Sequence, residues 1–220
     1  MLLIDFPNPR YCLNSDGVVC VSETDFLNPA NLVHAYKQGI FPWMIEGYDL
    51  VPWFCPPYRA IIDFAEMHIP RSLRKVRKHT RFTFTIDEAF PEVVYACAKI
   101  RRQGQRGTWI TKDIFESYNE LHRLGLAHSV EVWEGDDLVG GLYGVDPGGV
   151  FCGESMFHLR SDASKLAFLY LVEHLQAHGA AWIDIQVMTP HFQLLGAKEI
   201  PRSDFLLKLE QTLARNLKLF

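Results

Sequence analysis

The run Trp182-Ile183-Asp184-Ile185-Gln186-Val187 carries two polar side chains at i and i+2 in an otherwise apolar stretch. Side chains on a strand alternate with period two, so Asp184 and Gln186 are expected on one face and Ile183, Ile185 and Val187 on the other. A strand covered on both faces is normally apolar throughout. Polar groups there need partners or must line a cavity. Two readings stay open: a buried structural pair, or a catalytic or substrate-orienting pair in a cleft. Glu154 stands on the preceding predicted strand, on the face of Cys152 and Met156. It approaches Asp184 and Gln186 if the two strands are neighbours; otherwise it pairs with a cation elsewhere. Gly153 beside it permits close approach of a ligand to the backbone.

Other patterns carry less. Gly153-Glu154-Ser155-Met156-Phe157 lacks the second glycine of a nucleophile elbow. His174 and His178 are spaced for one helix face, but no third ligand accompanies them, so no metal site is expected. Trp43 and Trp109 fall in loop or boundary segments. There a planar side chain either joins the core or stacks on a base.

The elements that must position these residues are legible in outline. Asn28-Pro29 reads as a cap and first helical residue, followed by Leu32, Val33 and Tyr36 at helical spacing and closed by Gly39. Residues 39–58, rich in proline and aromatics, read as an ordered surface loop. Strands are expected at Ala60 to Phe64 and Phe82 to Ile86, with a short basic helix opened by Ile69-Pro70 between them. Asp87 is expected to cap a helix with the apolar face Phe90, Val93, Val94 and Cys97, and Thr111 a second helix carrying Ile114, Tyr118 and Leu121. Strands at 127–134, 138–146 and 150–157, separated by Gly135-Asp136-Asp137 and Pro147-Gly148-Gly149, form an antiparallel meander. A helix over 163–178 then carries the chain to the Asp184 strand, which is expected parallel to its predecessor. Three antiparallel strands, a helix and a parallel strand is the core order of acetyltransferase-type folds, an analogy of fold alone.

The 220 residues are 48% hydrophobic and 22% charged, enough apolar mass for a core. No segment reaches the ~18 apolar residues of a membrane helix, and the N-terminus lacks the pattern of a signal peptide. A cytoplasmic protein is expected. The five cysteines include no CxxC pair, so reduced thiols are expected. The net charge of −4 argues against a polyanion partner, but its distribution argues for one. Arg71, Arg74, Lys75, Arg77, Lys78, Arg81, Lys99, Arg101, Arg102 and Arg106 place ten of the 22 basic side chains in one stretch, and local density steers a polyanion.

The strings AYKQGIFPW (35–43), GTWIT (107–111), SYNELHRLGLAHSVEVW (117–133), LVGGLYGV (138–145), FCGESMF (151–157), ASK (163–165), IDIQV (183–187) and LGAKEIPR (195–202) identify a specific likeness. The chain resembles the bacterial leucyl/phenylalanyl-tRNA–protein transferases. The resemblance implies an α+β fold: a small N-terminal domain over 1–60 and an acetyltransferase-like (GNAT-type) catalytic domain over 61–220. It implies transfer of Leu, Phe or Met from charged tRNA to an N-terminal Lys or Arg, marking the acceptor for N-degron degradation. Aminoacyl-tRNA and acceptor proteins are the implied partners, and a monomer without cofactor is expected. Carried onto this sequence, Trp43 and Trp109 hold the terminal adenosine, and Tyr118 and Glu154 position the ester end. Asp184 and Gln186 stand at the reacting centre. Leu142, Phe151, Met156, Phe168, Leu171, Leu175 and Ile183 line the aminoacyl side-chain pocket. The segments Glu23-Thr24-Asp25-Phe26 and Pro52 to Arg59 depart from the family pattern, so a paralogue with a different acceptor stays open. So does an acyl-CoA-dependent N-acyltransferase of the same fold. That reading lacks its phosphate-cradling loop, because His158 to Asp162 contains no glycine.

Overall fold

The computed structural model describes residues 3–12, 15–45, 49–100 and 108–220. Near the N-terminus, Asn28 accepts a hydrogen bond from the Asn31 N–H, and Pro29 occupies the first turn of α1 (Pro29–Lys37). Gly39 ends that helix at φ 75°, and a Cβ there would meet the Phe205 ring at 2.7 Å and Leu206 at 2.8 Å. Only glycine satisfies both demands.

The segment expected as a loop is a small sheet. Three strands, β1 (Val18–Glu23), β2 (Phe41–Pro42) and β3 (Leu50–Phe54), form an antiparallel sheet in the order β1-β3-β2. Proline argues against a strand in sequence, which is why this segment did not read as sheet, yet Pro42 sits in the edge strand β2 and Pro52 in the central strand β3.

The large sheet has seven strands in the order β10-β4-β9-β8-β7-β6-β5: β4 (Tyr58–Asp63), β5 (Thr83–Ile86), β6 (Ala127–Glu134), β7 (Asp137–Val145), β8 (Phe151–His158), β9 (Trp182–Gln186) and β10 (Lys198–Pro201). Strands β6, β7 and β8 form the expected antiparallel meander, and β9 runs parallel to β8. The helix α5 (Ala163–Ala177) makes that connection, as expected from its length. The short helix α6 (Pro190–Gln193), strand β10 and the helix α7 (Arg202–Leu213) that follows it were not anticipated.

The sheet is covered on both faces. On one, α5 buries Leu166, Phe168, Leu171 and Leu175, joined by Leu73 of the basic helix α2 (Arg71–His79). On the other, α3 (Phe90–Lys99) and α4 (Lys112–Arg123) pack with α1, α7 and the three-stranded sheet in one continuous cluster. At roughly 1.5–3 kcal/mol for each fully buried Leu or Phe, this shared core ties the N-terminal part to the large sheet. Thr111 caps α4 as expected. Asp87 does not cap α3. It adopts φ 63°, and its carboxylate accepts the Ser129 N–H and pairs with His128 at 2.6 Å, bracing β6 instead. Among the described residues no two cysteines are joined by a disulfide. Among the described residues no helix is long and apolar enough to cross a membrane.

Candidate active site

Strands β8 and β9 are paired only at Phe151–Ile183 and Cys152–Asp184. Beyond those pairs they part, and a cavity of about 240 Å³ occupies the wedge. Its apolar wall comes from Leu142, Phe151, Met156, Phe168, Leu171 and Ile183, all expected there. Leu175 is the exception. It lies one turn farther along α5, is fully buried in the core, and does not line the cavity. Trp43, just after β2, and Trp109, just before α4, both line it, although they come from distant parts of the chain.

The polar floor is a connected set. Gln186 Nε2 donates to Glu154 Oε1 at 2.6 Å, and the Tyr36 hydroxyl donates to the same oxygen at 2.7 Å. The Tyr118 hydroxyl donates to Glu154 Oε2 at 3.2 Å and lies 2.5 Å from the Tyr36 hydroxyl. Glu154 keeps some surface toward the cavity, but its carboxyl is enclosed by protein. Burial pushes that carboxyl up to about 7, against hydrogen bonds from Tyr36, Gln186 and Tyr118 that favour the anion. Burial, with the neighbouring carboxylate, holds both phenols well above their ordinary range, so they remain donors at neutral pH. Tyr118 thus stands behind the floor rather than in the cavity wall. Tyr36 was missed because its position reads as an apolar helix-face residue. The available signal was its hydroxyl, which needs a partner once buried.

Asp184 and Gln186 do not share a face in the way that strand alternation implies. Gln186 has φ 62°, so the chain turns there and its side chain joins Ile183 and Ile185 at the cavity. Asp184 points away, into a bidentate ion pair with Arg59: Nε to Oδ1 at 2.9 Å and Nη2 to Oδ2 at 2.7 Å, with both side chains 1% exposed. Its Oδ1 also accepts the Gln186 N–H at 2.9 Å. Asp184 therefore reaches the cavity only through Gln186. The Cys152 thiol nearby is pushed well above its ordinary value by burial, which leaves it no thiolate character for attack.

The side chains Arg71, Arg74, Lys75, Arg77, Lys78 and Arg81 are all exposed, on or just after α2. Arg77 pairs with Glu173 of α5. Arg101, Arg102 and Arg106 lie outside the described residues.

Sequence comparison identifies the family to which the chain belongs. The family model described as leucyl/phenylalanyl-tRNA protein transferase matches residues 61–210, and the model of that family's N-terminal domain matches residues 26–57. The chain belongs to this family. Relatives named leucyl/phenylalanyl-tRNA–protein transferase span nearly its whole length. The protein of Pseudoalteromonas atlantica is 46% identical over 208 residues, covering 94% of this chain and 88% of its own. That of Desulfatibacillum aliphaticivorans is 47% identical over 210 residues, covering 96% and 88%. That of Shewanella denitrificans is 50% identical over 185 residues, covering 84% and 78%. Among solved structures, one described as "The structure of L-PGS from Bacillus licheniformis" overlaps 61% of this chain and 47% of its own at a TM-score of 0.40 and 14% identity. The transferase thus carries its cavity, its two tryptophans and the Glu154–Gln186 floor inside the matched regions, with the floor wholly within 61–210.

Proposed function

We propose that the transferase moves Leu, Phe or Met from charged tRNA to the N-terminal α-amine of proteins that begin with Lys or Arg, committing them to N-degron degradation. The observation that carries this reading is an apolar cavity floored by Glu154 and Gln186 and flanked by Trp43 and Trp109. The cavity takes the aminoacyl side chain, the tryptophans take the terminal adenosine by stacking, and the exposed basic residues of α2 with Arg101, Arg102 and Arg106 take tRNA phosphates. The catalytic unit begins near residue 61 and follows the acetyltransferase-like plan, with β6, β7, β8, α5 and β9 as its core. We infer that it works as a cytoplasmic monomer.

The acceptor amine attacks the ester carbonyl. A C–N bond forms, the C–O bond to the ribose breaks, and the proton shed by the amine ends on the departing ribose oxygen. An α-amine with a pKa of about 7.7–8.0 is sufficiently neutral near pH 7 that no strong base is needed. Alignment and stabilisation of the tetrahedral oxyanion dominate. A carboxyl that titrates near neutrality can accept the amine proton and return it, so Glu154 suits that shuttle. Gln186 orients the amine, and Asp184 acts by orienting Gln186. The reaction as written needs no cofactor.

A second cavity, of about 340 Å³, shares Trp43 and Val187 with the first. Phe41, Phe54 and Ile45 line it and Asp16 supplies a carboxylate. Aromatic faces suit the stem of a Lys or Arg side chain, and the carboxylate suits its charge. The acceptor residue enters there. Incubation with individually charged tRNAs and peptides bearing every N-terminal residue, read by mass spectrometry, tests the reading. Adducts of Leu or Phe on Lys and Arg peptides are expected. Products from acyl-CoA but none from charged tRNA would overturn it.

A further inference from the structure

Arg59 is a fully buried guanidinium on β4, held between the Phe41 and Phe205 rings at 4.5 and 4.6 Å. A buried charge is costly unless its geometry is well met, and an apolar replacement of the whole pair is often neutral for stability. The Nη1 of Arg59 makes no hydrogen bond to the described residues. What it does is fix Asp184, whose Oδ1 receives both the Arg59 Nε and the Gln186 N–H.

That second bond matters because Gln186 is strained. Its φ is 62°, and the Val187 N–H closes back on the Ile185 carbonyl at 2.7 Å, a positive-φ three-residue turn of a rare kind. The pairing of β4 with β9 also shifts register between Ala60 and Ile61, opposite this turn. Such backbone persists only where its surroundings over-determine it. Arg59 and Asp184 supply that constraint, and the turn aims Gln186 at Glu154.

We infer that Arg59 is a positioning residue of the transfer reaction, acting on the reacting centre through Asp184 and the turn at Gln186. The inference rests on the reading that Gln186 stands at that centre. Arg59→Lys keeps the charge and loses the two-pronged grip. Its single-turnover transfer rate is expected to fall about tenfold or more, with the Kd for aminoacyl-tRNA and the KM for the acceptor peptide little changed. The Gln186 amide should exchange with solvent faster. In a Gln186→Ala background the same change should cost no further rate. A rate within about twofold of the parent, or fully additive losses with Gln186→Ala, would overturn the inference. If Arg59→Lys does not fold, the pair Arg59→Met with Asp184→Leu is used, which removes both charges together. That variant should fold, bind aminoacyl-tRNA and transfer slowly. Normal transfer by it would reduce Arg59 to a packing residue. Absence of transfer by the unaltered protein would instead overturn the functional reading, and Gln186 amide exchange would still report on Arg59.

Discussion

Gln186 at the end of β9 holds Glu154 of β8 by a 2.6 Å hydrogen bond across the wedge where the two strands have parted. The backbone no longer joins the strands there, so side chains do, and the cavity floor is built from that bond.

The raised titration of Glu154 has a thermodynamic signature. Its carboxyl moves from an ordinary 4.5 to about 7 on folding. The native state therefore keeps a proton that the unfolded chain releases. The associated stability is fully present below about pH 4.5 and is lost as pH rises through 7, on the order of 3 kcal/mol in all. Glu154→Gln lacks this dependence. Urea midpoints of both proteins between pH 4 and 8 should diverge, the variant gaining relative to the parent as pH rises. Parallel curves would mean that Glu154 titrates as an ordinary carboxylate.

Removal of the Tyr36 hydroxyl should act in the same direction on the same group. That hydroxyl stabilises the Glu154 anion, so Tyr36→Phe should move the Glu154 titration farther alkaline. The inflection of single-turnover rate against pH, or a carboxyl ¹³C titration, reads the shift. An acid displacement would contradict the hydrogen-bond assignment.

Asp184→Asn and Gln186→Ala should separate by stability. The first breaks a buried ion pair and should cost roughly 3–5 kcal/mol as well as rate. The second leaves Glu154 Oε1 without one donor and should slow single turnover strongly while costing less, roughly 1–3 kcal/mol. Their combined effect on rate should be less than the sum, since both act through one side chain. Thermal melts and single-turnover rates on the same preparations check this. A Gln186→Ala protein with normal rate would remove Gln186 from the reacting centre.

Charge reversal at Arg71, Lys75 and Lys78, all exposed on α2, should weaken tRNA binding at low salt. It should also flatten the dependence of log K on log salt by roughly 0.7–0.9 for each phosphate that is no longer neutralised. An unchanged slope would exclude α2 from the tRNA surface.

The cavity wall should set the choice of amino acid. Leu142→Phe narrows the space, and transfer of Phe should fall about tenfold more than transfer of Leu. Asp and Lys esters should fail with either protein, because the wall offers no partner for a buried charge. Ratios of kcat/KM with misacylated tRNAs measure both effects.

The parts of this architecture with regular periodicity were legible in the sequence. The meander over β6, β7 and β8 announced itself through alternation and glycine turns, and α5 through its length. The small sheet was not legible. Strand β2 is two residues long, and prolines sit in both β2 and β3. Asp184 and Gln186 stood out as polar residues in an apolar strand, but their division of labour did not. Period-two reasoning assumes extended backbone, and Gln186 leaves it. Arg59 stood at the boundary between the segment read as a loop and the strand expected from Ala60, and only the fold brings it within reach of Asp184, 125 positions along the chain. Asp87 looked like a cap by residue type, whereas its left-handed backbone turned the carboxylate toward Ser129 and His128.

The two matched regions meet between residues 57 and 61, and the site straddles that seam. Tyr36, Trp43 and Arg59 come from before residue 61, whereas Tyr118, Glu154, Asp184 and Gln186 come from after it. Neither half alone carries the whole candidate site. If this is the reacting centre, grafting one relative's leading segment onto another's trailing segment would preserve function only where the tyrosine pair and the Arg59–Asp184 pair still fit.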